Sequence, residues 1–258
     1  MATTKKLILS GFLALSLLLS ACASTSSPSY KDDPLEPLNR GIYTFNDIID
    51  TVIIRPLAMV YKTVVPVIMQ DIIANFIDNI TTPVSAINYA LQGNADMAGV
   101  AVGRFMTNTV FGLLGTLDVA SALDIPEAKT DFGLTLAKWG VTESPYFVIP
   151  LLGPSTIRDG IGKGVDFFLQ PINILALNPN NQKINDLDWV RFGAEVLDTR
   201  ARALTITDDI KLNSVDPYAA MRSMYLQNRR HSISENMKVI DRGRPATENY
   251  DFDFNSDY

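Results

Sequence analysis

Between Thr81 and Pro126 the chain carries only four charged side chains in 46 residues: Asp96, Arg104, Asp118 and Asp124. At the chain's 19% charged average that stretch would hold about nine. Ionised side chains avoid low-dielectric surroundings, so the deficit implies burial in protein or in lipid. No uninterrupted run of 18 apolar residues exists within it, so it is not a single bilayer-crossing helix.

The sequence around this stretch is patterned as amphipathic helix. Ile42, Phe45, Ile48, Ile49, Val52 and Ile53 recur at helical spacing, with Thr44, Asp47, Asp50 and Thr51 opposite them. The spacing predicts a helix ended at Arg55-Pro56, because the residue before proline resists the α region. A nearly uniform apolar segment, Leu57 to Val65, stops at Pro66. A third has Ile68, Met69, Ile72, Ile73, Phe76, Ile77 and Ile80 on one side, and Pro83 is expected to close it. A short helix should reach Gln92, with Gly93 as its stop and another opening near Asn94. The glycine- and proline-rich "FGLTLAKWGVTESPYFVIPLLGPSTIRDG" reads as an extended or looped excursion to Leu152 and then a helix capped by Ser155. In that helix Ile157, Ile161, Val165 and Phe168 share a face. "DWVRFGAEVLDTRARAL" forms another helix, and Asp216-Pro217 opens the last. The fold class is therefore mostly all-α. Amphipathicity does not say whether a face meets protein or acyl chains, so a monotopic membrane protein and a soluble helical domain both fit.

The N-terminus narrows the compartment. Lys5 and Lys6 precede the apolar run Leu7 to Leu19, a secretory-leader pattern too short for a permanent span. Leu19-Ser20-Ala21-Cys22 resembles a bacterial lipobox, with cleavage before the only cysteine of the chain and diacylglycerol on its thiol; an ordinary cleavage site beside an incidental cysteine is the plainer alternative. A multiply acylated Cys22 meets the two-signal condition for stable anchoring. The expected organisation is a leader at 1–21, a lipidated Cys22 with a serine-rich tether at 22–32, a helical domain at 33–235 and a polar, disordered tail at 236–258. A tether of this length spans about 17 Å, so the folded body starts almost at the lipid surface. Loss of Lys5 and Lys6 with the leader leaves 20 basic against 28 acidic residues, a formal charge of −8 that argues against nucleic-acid binding.

Reactive groups are scarce. With one histidine, His231, and one acylated cysteine, His/Cys metal sites and Cys-His nucleophile pairs are excluded. "GIGKG" at Gly160–Gly164 lacks the Ser or Thr of a P-loop and is no dinucleotide fingerprint. "GPSTI" lacks the second glycine of a nucleophile elbow. An all-carboxylate site from Asp131, Asp159 and Asp166 is the remaining catalytic option. No cofactor is called for.

Several blocks then carry a likeness. "DPLEPLNRGIYTFND" at Asp33–Asp47, "RP" at Arg55-Pro56, "NYALQG" at Asn88–Gly93 and "GRFMTNTVFGLLGTLDVA" at Gly103–Ala120 resemble the MlaA (VacJ) lipoprotein family. "DFGLTLAKWGV", "SPYFVIPLLGPSTIRDGIGKGVD" and "DPYAAMRSMYLQNR" continue it in order, with a small departure at Ser144, where many relatives carry glycine. The resemblance implies a ring of amphipathic helices in the inner leaflet of the outer membrane around a central amphipathic channel. It implies passage of phospholipids mislocalised in the outer leaflet to a soluble periplasmic phospholipid carrier, association with a trimeric porin, and no enzymatic step. In bacterial lipoproteins an Asp after the cysteine favours inner-membrane retention; Ala23 and Ser24 here imply the periplasmic face of the outer membrane.

Two groups of site residues follow. Arg104, Thr107 and Asn108 recur at i, i+3 and i+4 as a polar stripe; they either line the channel, with Arg104 contacting a phosphate, or pair internally, Arg104 with Asp118 or with carbonyl groups. Ser155, Arg158 and Asp159 form either a structural turn or an exposed carrier-docking edge. A membrane-anchored lipid hydrolase and a passive tether are the alternatives to a channel.

Overall fold

The computed structural model describes residues 33–141, 144–171 and 182–242, without side chains for 182–188 and 240–242. Cys22, the leader and the tether lie outside the described residues, as does the tail beyond Arg242. The fold is helical with one small hairpin. The elements are α1 (Glu36–Ile49), a π-helical turn (Asp50–Ile54), α2 (Arg55–Val64), α3 (Val67–Leu91), α4 (Ala95–Phe111), α5 (Val119–Ala122), α6 (Phe132–Lys138), β1 (Tyr146–Ile149), β2 (Gly153–Thr156), α7 (Ile157–Leu169), α8 (Gln182–Asn213) and α9 (Pro217–Arg242). α3 packs along α4, α8 lies against α2, and α6 against α7.

Two prolines behave differently from expectation. The helix does not stop at Arg55-Pro56. The π turn widens the ladder, so that the Arg55 amide donates to the Asp50 carbonyl, and Pro56 follows without a break. The extra residue lets the chain accept a ring that has no N–H to give. Pro83 likewise sits inside α3 instead of closing it. Thr81 and Thr82 donate their hydroxyls to the Asp78 carbonyl, at 2.9 and 2.8 Å, and supply donors to the turn that the proline weakens. Pro66 does terminate its helix, with Val65 extended before it. At that corner α3 turns back by 119°. No single described helix is long and apolar enough to cross a membrane; α1 to α2 and α3 pass that test only as the bent pair.

Gly93, at φ +77°, ends α3, and the Asn94 carboxamide caps α4 through the Met97 amide. The stretch expected to be extended or looped contains α6 and the extended strand β1, and the hairpin's second strand β2, with Thr156 opposite Tyr146, lies where the start of a helix was expected. Consequently Thr156, not Ser155, caps α7: its Oγ1 accepts from the Asp159 amide at 3.2 Å, while Ser155 is wholly buried in β2. Asp216 caps the last helix through the Ala219 amide. That helix runs to Arg242, past the boundary expected at 235.

The apolar faces do not meet in a core. Among the described residues, 38 large apolar side chains are exposed, whereas only five Ile, Val or Leu side chains are buried: Ile77, Val84, Leu134, Val148 and Leu204. The buried set instead includes Asp33, Asn39, Asn88, Thr135, Arg158 and Asp159. The face predicted on α1 points outwards, with Phe45 49%, Ile48 56% and Val52 68% exposed. In water each such side chain forgoes about 1.5–3 kcal/mol of burial. A shell of this size is far beyond what a monomer in water presents.

Close packing concentrates where α6 meets α7. A Cβ on Gly162 would lie 2.5 Å from the Gly133 backbone nitrogen, whereas one on Gly99 in α4 meets nothing within 4 Å. Gly162→Ala is therefore expected to destabilise the fold by about 1–3 kcal/mol, and Gly99→Ala to stabilise it by about 0.5–1 kcal/mol. Denaturant titration in detergent micelles measures both.

Candidate functional site

Because α1, α3, α4, α6 and α7 turn polar side chains inwards, the motif residues find one another there. Asn39, fully buried on α1, donates to the Asp33 carboxylate at 3.2 Å and to the Tyr146 carbonyl at 3.0 Å, and accepts from the Val148 amide at 3.0 Å. Two turns on, Asn46 donates to the Ile149 carbonyl and accepts from the Leu151 amide at 2.7 Å. It thereby clasps the hairpin turn, where Leu151 is held at φ +66°. At the π turn, Asp50 receives a bidentate pair from Arg200 at 2.6 and 2.9 Å, with the Lys211 ammonium at 3.0 Å. Asn88, Gln92, Thr135 and Asn236 bridge α3, α6 and α9.

A linked set of charges sits where α6, α7 and α9 meet. Arg229 donates twice to Asp131 at 2.7 Å and once to Asp159 at 2.9 Å. Arg158 reaches Asp159 at 3.0 Å, and the Tyr225 hydroxyl donates to it at 2.9 Å. Burial opposes ionisation of Asp159, but the two guanidiniums outweigh it and hold its carboxyl below the usual range. Asp166 accepts from the Asn88 amide and the Phe132 N–H at 2.8 and 2.9 Å, yet burial dominates and pushes it up. The three carboxylates considered for catalysis do converge, but as partners of Arg229 and of helix N–H groups.

Arg158 and Asp159 are 5% and 3% exposed, so the exposed first turn expected for them is corrected to a buried ion pair. Tyr225 and Arg229 of α9 close over Asp159, and the Val141 carbonyl accepts from Arg158 at 3.4 Å. Ser155, in β2, is buried as well. Ser144, the departure from family pattern, accepts from the Arg158 amide at 3.0 Å. Arg104 takes the internal alternative: it donates to Asp118 at 3.0 and 3.1 Å, to the Ser121 hydroxyl at 3.0 Å and to the Ile125 carbonyl at 2.5 Å. Asn108 donates to the same Asp118 at 3.0 Å and accepts from the Ala120 amide at 2.7 Å. Thr107 lies half-buried on the same helix. Arg104 and Asn108 border a hollow of only about 60 Å³.

Larger spaces lie elsewhere. A cavity of about 470 Å³ is bounded by α1, the hairpin turn and α8. Ile49, Ile54, Leu151 and Phe192 line it with apolar surface, and Asp50, Lys163, Glu195 and Arg200 bring charge to the same space. A cleft of about 630 Å³ lies over Tyr146 between the hairpin and α9, bordered by Arg222, Arg229 and Arg230. His231, exposed on α9, takes no part in either.

Removing Arg229 would leave the part-exposed Asp131 without its guanidinium and Asp159 with Arg158 and Tyr225 alone. Arg229→Met is expected to cost about 1–3 kcal/mol in denaturant titration. Since the folded Asp159 carboxyl ionises below its unfolded value, its contribution is present above about pH 4 and falls away below it. In Arg229→Met the shift should shrink or reverse, which a pH series of unfolding midpoints checks.

Comparison with known proteins agrees with this layout. A family model described as MlaA lipoprotein matches residues 31–232. The Escherichia coli K12 protein named intermembrane phospholipid transport system lipoprotein MlaA is 34% identical over 236 residues, covering 90% of each chain. The Haemophilus influenzae protein of the same name is 32% identical over 245 residues, and an uncharacterised Rickettsia felis protein is 35% identical over 209. A solved structure described as the structural basis for maintenance of bacterial outer membrane lipid asymmetry superposes with a TM-score of 0.63 at 33% identity, covering 76% of this chain and 96% of that one. With its outward apolar faces and its motif residues gathered inside, this chain belongs to the MlaA lipoprotein family.

Proposed function

We propose that this protein is an outer-membrane lipoprotein, acylated at Cys22 on the periplasmic side, that moves mislocalised phospholipids out of the outer leaflet and so maintains lipid asymmetry. In this reading the helical body lies in the inner leaflet as a ring around an amphipathic channel and delivers lipid to a soluble periplasmic carrier beside a trimeric porin. The reading rests first on the relatives named for intermembrane phospholipid transport. The observation that carries it in this chain is the inversion of polarity: apolar side chains face out along α1 to α4 while amides and ion pairs face in. Such a surface suits acyl chains, and such an interior suits a headgroup that must pass them.

The cavity between α1, the hairpin and α8 is the space that best fits a lipid, lined by both apolar and charged side chains. The hollow beside Arg104 is too small for one. Translocation breaks no bond. The charged groups inside hold one another, and the carboxylates at the α6–α7–α9 junction are occupied by Arg158 and Arg229.

Two experiments test the reading. Deletion of the gene should raise outer-leaflet phospholipid and detergent sensitivity, the wild-type gene should reverse both, and Cys22→Ala should not. Unchanged lipid distribution on deletion would favour a passive tether. Release of lysophospholipid and fatty acid from liposomes by the purified protein would favour a hydrolase. On the shell, Ile48→Asp puts a charge against acyl chains at a cost of about 2.5–3.5 kcal/mol. It should weaken co-flotation of the non-acylated body with phospholipid vesicles, whereas Lys238→Glu, on the exposed face of α9, should leave flotation unchanged.

A further inference from the structure

The GIGKG segment has no part in any phosphate-binding motif, yet it places a lysine where two cavities meet the same side chain. Lys163, on α7, borders the 470 Å³ cavity and also a second cavity of about 220 Å³ between α6, α7 and α9. The carboxylates lining these spaces are already matched. Asp50 is held by Arg200 and Lys211, Glu195 by Arg191, Asp131 by Arg229, and Asp159 by Arg158 and Arg229. Among the described residues, no hydrogen bond or ion pair joins the Lys163 ammonium, although Asp159, Asp131 and Arg229 act on it at longer range.

Lys163 is exposed, so its ammonium faces this cavity space, while the protein around it lowers its pKa below the ordinary lysine range. A cation with no close counter-ion is open to any anion that enters. The glycines beside it have different reasons. Gly162 is required by the approach of the Gly133 backbone, whereas a Cβ on Gly164 would meet nothing within 4 Å, which leaves open space next to the lysine. In the same cavity, Ile49, Ile54, Leu151 and Phe192 offer a surface that an acyl chain can follow and an inorganic ion cannot use.

We infer that Lys163 is the contact by which this protein holds the phosphodiester of a glycerophospholipid in transit, with the acyl chains lying along the apolar side chains of the larger cavity. The inference rests on the lipid-moving function proposed above and adds to it a named residue and the feature recognised, a phosphate common to every headgroup.

The test uses the full-length acylated protein in the deletion strain, with a benzophenone amino acid at Phe192 to trap lipid in the cavity. Lys163→Met and Lys163→Gln should each lower crosslinking to radiolabelled phospholipid about tenfold at unchanged protein abundance, as expected for loss of a charge-assisted hydrogen bond. Both should also leave surface phospholipid raised, while Lys163→Arg and the control Lys238→Met keep crosslinking and asymmetry. Wild-type crosslinking and asymmetry in either neutral variant would overturn the assignment to Lys163 and leave the transport function standing. Failure of the wild-type gene itself to restore asymmetry would instead overturn the transport function. Excess inorganic phosphate should not reduce crosslinking in the purified protein; if it abolishes crosslinking, the site takes the free anion and the lipid assignment falls.

Discussion

Arg229, gripped by Asp131 and Asp159 where three helices meet, shows the constraint under which the whole protein folds. A polar group turned away from water must find its partner in protein, and an apolar exterior offers none. The same requirement governs the amides of Asn39, Asn88 and Asn108, each satisfied by backbone or carboxylate groups of other segments. These directional contacts fix how the helices meet, because the few buried apolar clusters consist largely of alanine and tyrosine. Hydrophobic burial, normally the main drive to fold in water, is here directed to the outside.

Much of the helical framework was legible in the chain. The 3.6-residue period placed α1 and α3, a nearly uniform apolar run stopped by Pro66 placed α2, Gly93 and Asn94 marked a boundary, and Asp216-Pro217 marked another. The prolines misled in two places out of three. Pro56 is absorbed by a π turn, and beside Pro83 the hydroxyls of Thr81 and Thr82 bond the Asp78 carbonyl, local adjustments that a rule ending helices at proline leaves out. The hairpin and α6 were missed because four-residue strands and a seven-residue helix lie within a glycine- and proline-rich stretch with no periodicity long enough to register.

The interior was harder to read than the exterior. Period alone gives the width of an apolar face and not its surroundings, so the choice between lipid and protein needed the fold. The Arg104 stripe shows the same gap: an arginine on a greasy helix can meet a ligand or a carboxylate, and Asp118, fourteen residues on, decides it. Arg158 and Asp159 looked exposed because local pattern does not show that α9 returns to place Tyr225 and Arg229, 66 and 70 residues on, over Asp159. One signal was available, in that the family motifs are rich in Asn, Gln and paired Arg and Asp on the faces opposite the apolar stripes. Polar residues of that kind, set against lipid-compatible faces, mark an interior.

The polarity inversion also explains how one scaffold can be apolar outside and charged within. Asp131 and Asp159 are held by guanidiniums and Asp166 by amide N–H groups, and the cavity bordered by α1, the hairpin turn and α8 is lined by both apolar and charged side chains. Spin labels placed at Val52, Ile68, Phe111 and Leu152, with His231 and Lys238 as references, measure the central claim directly in vesicles. The account predicts that the first four are reached by oxygen and shielded from a water-soluble nickel chelate, and that the two references are not shielded. Labels at all six positions equally open to the chelate would show a body sitting in water, and would contradict it.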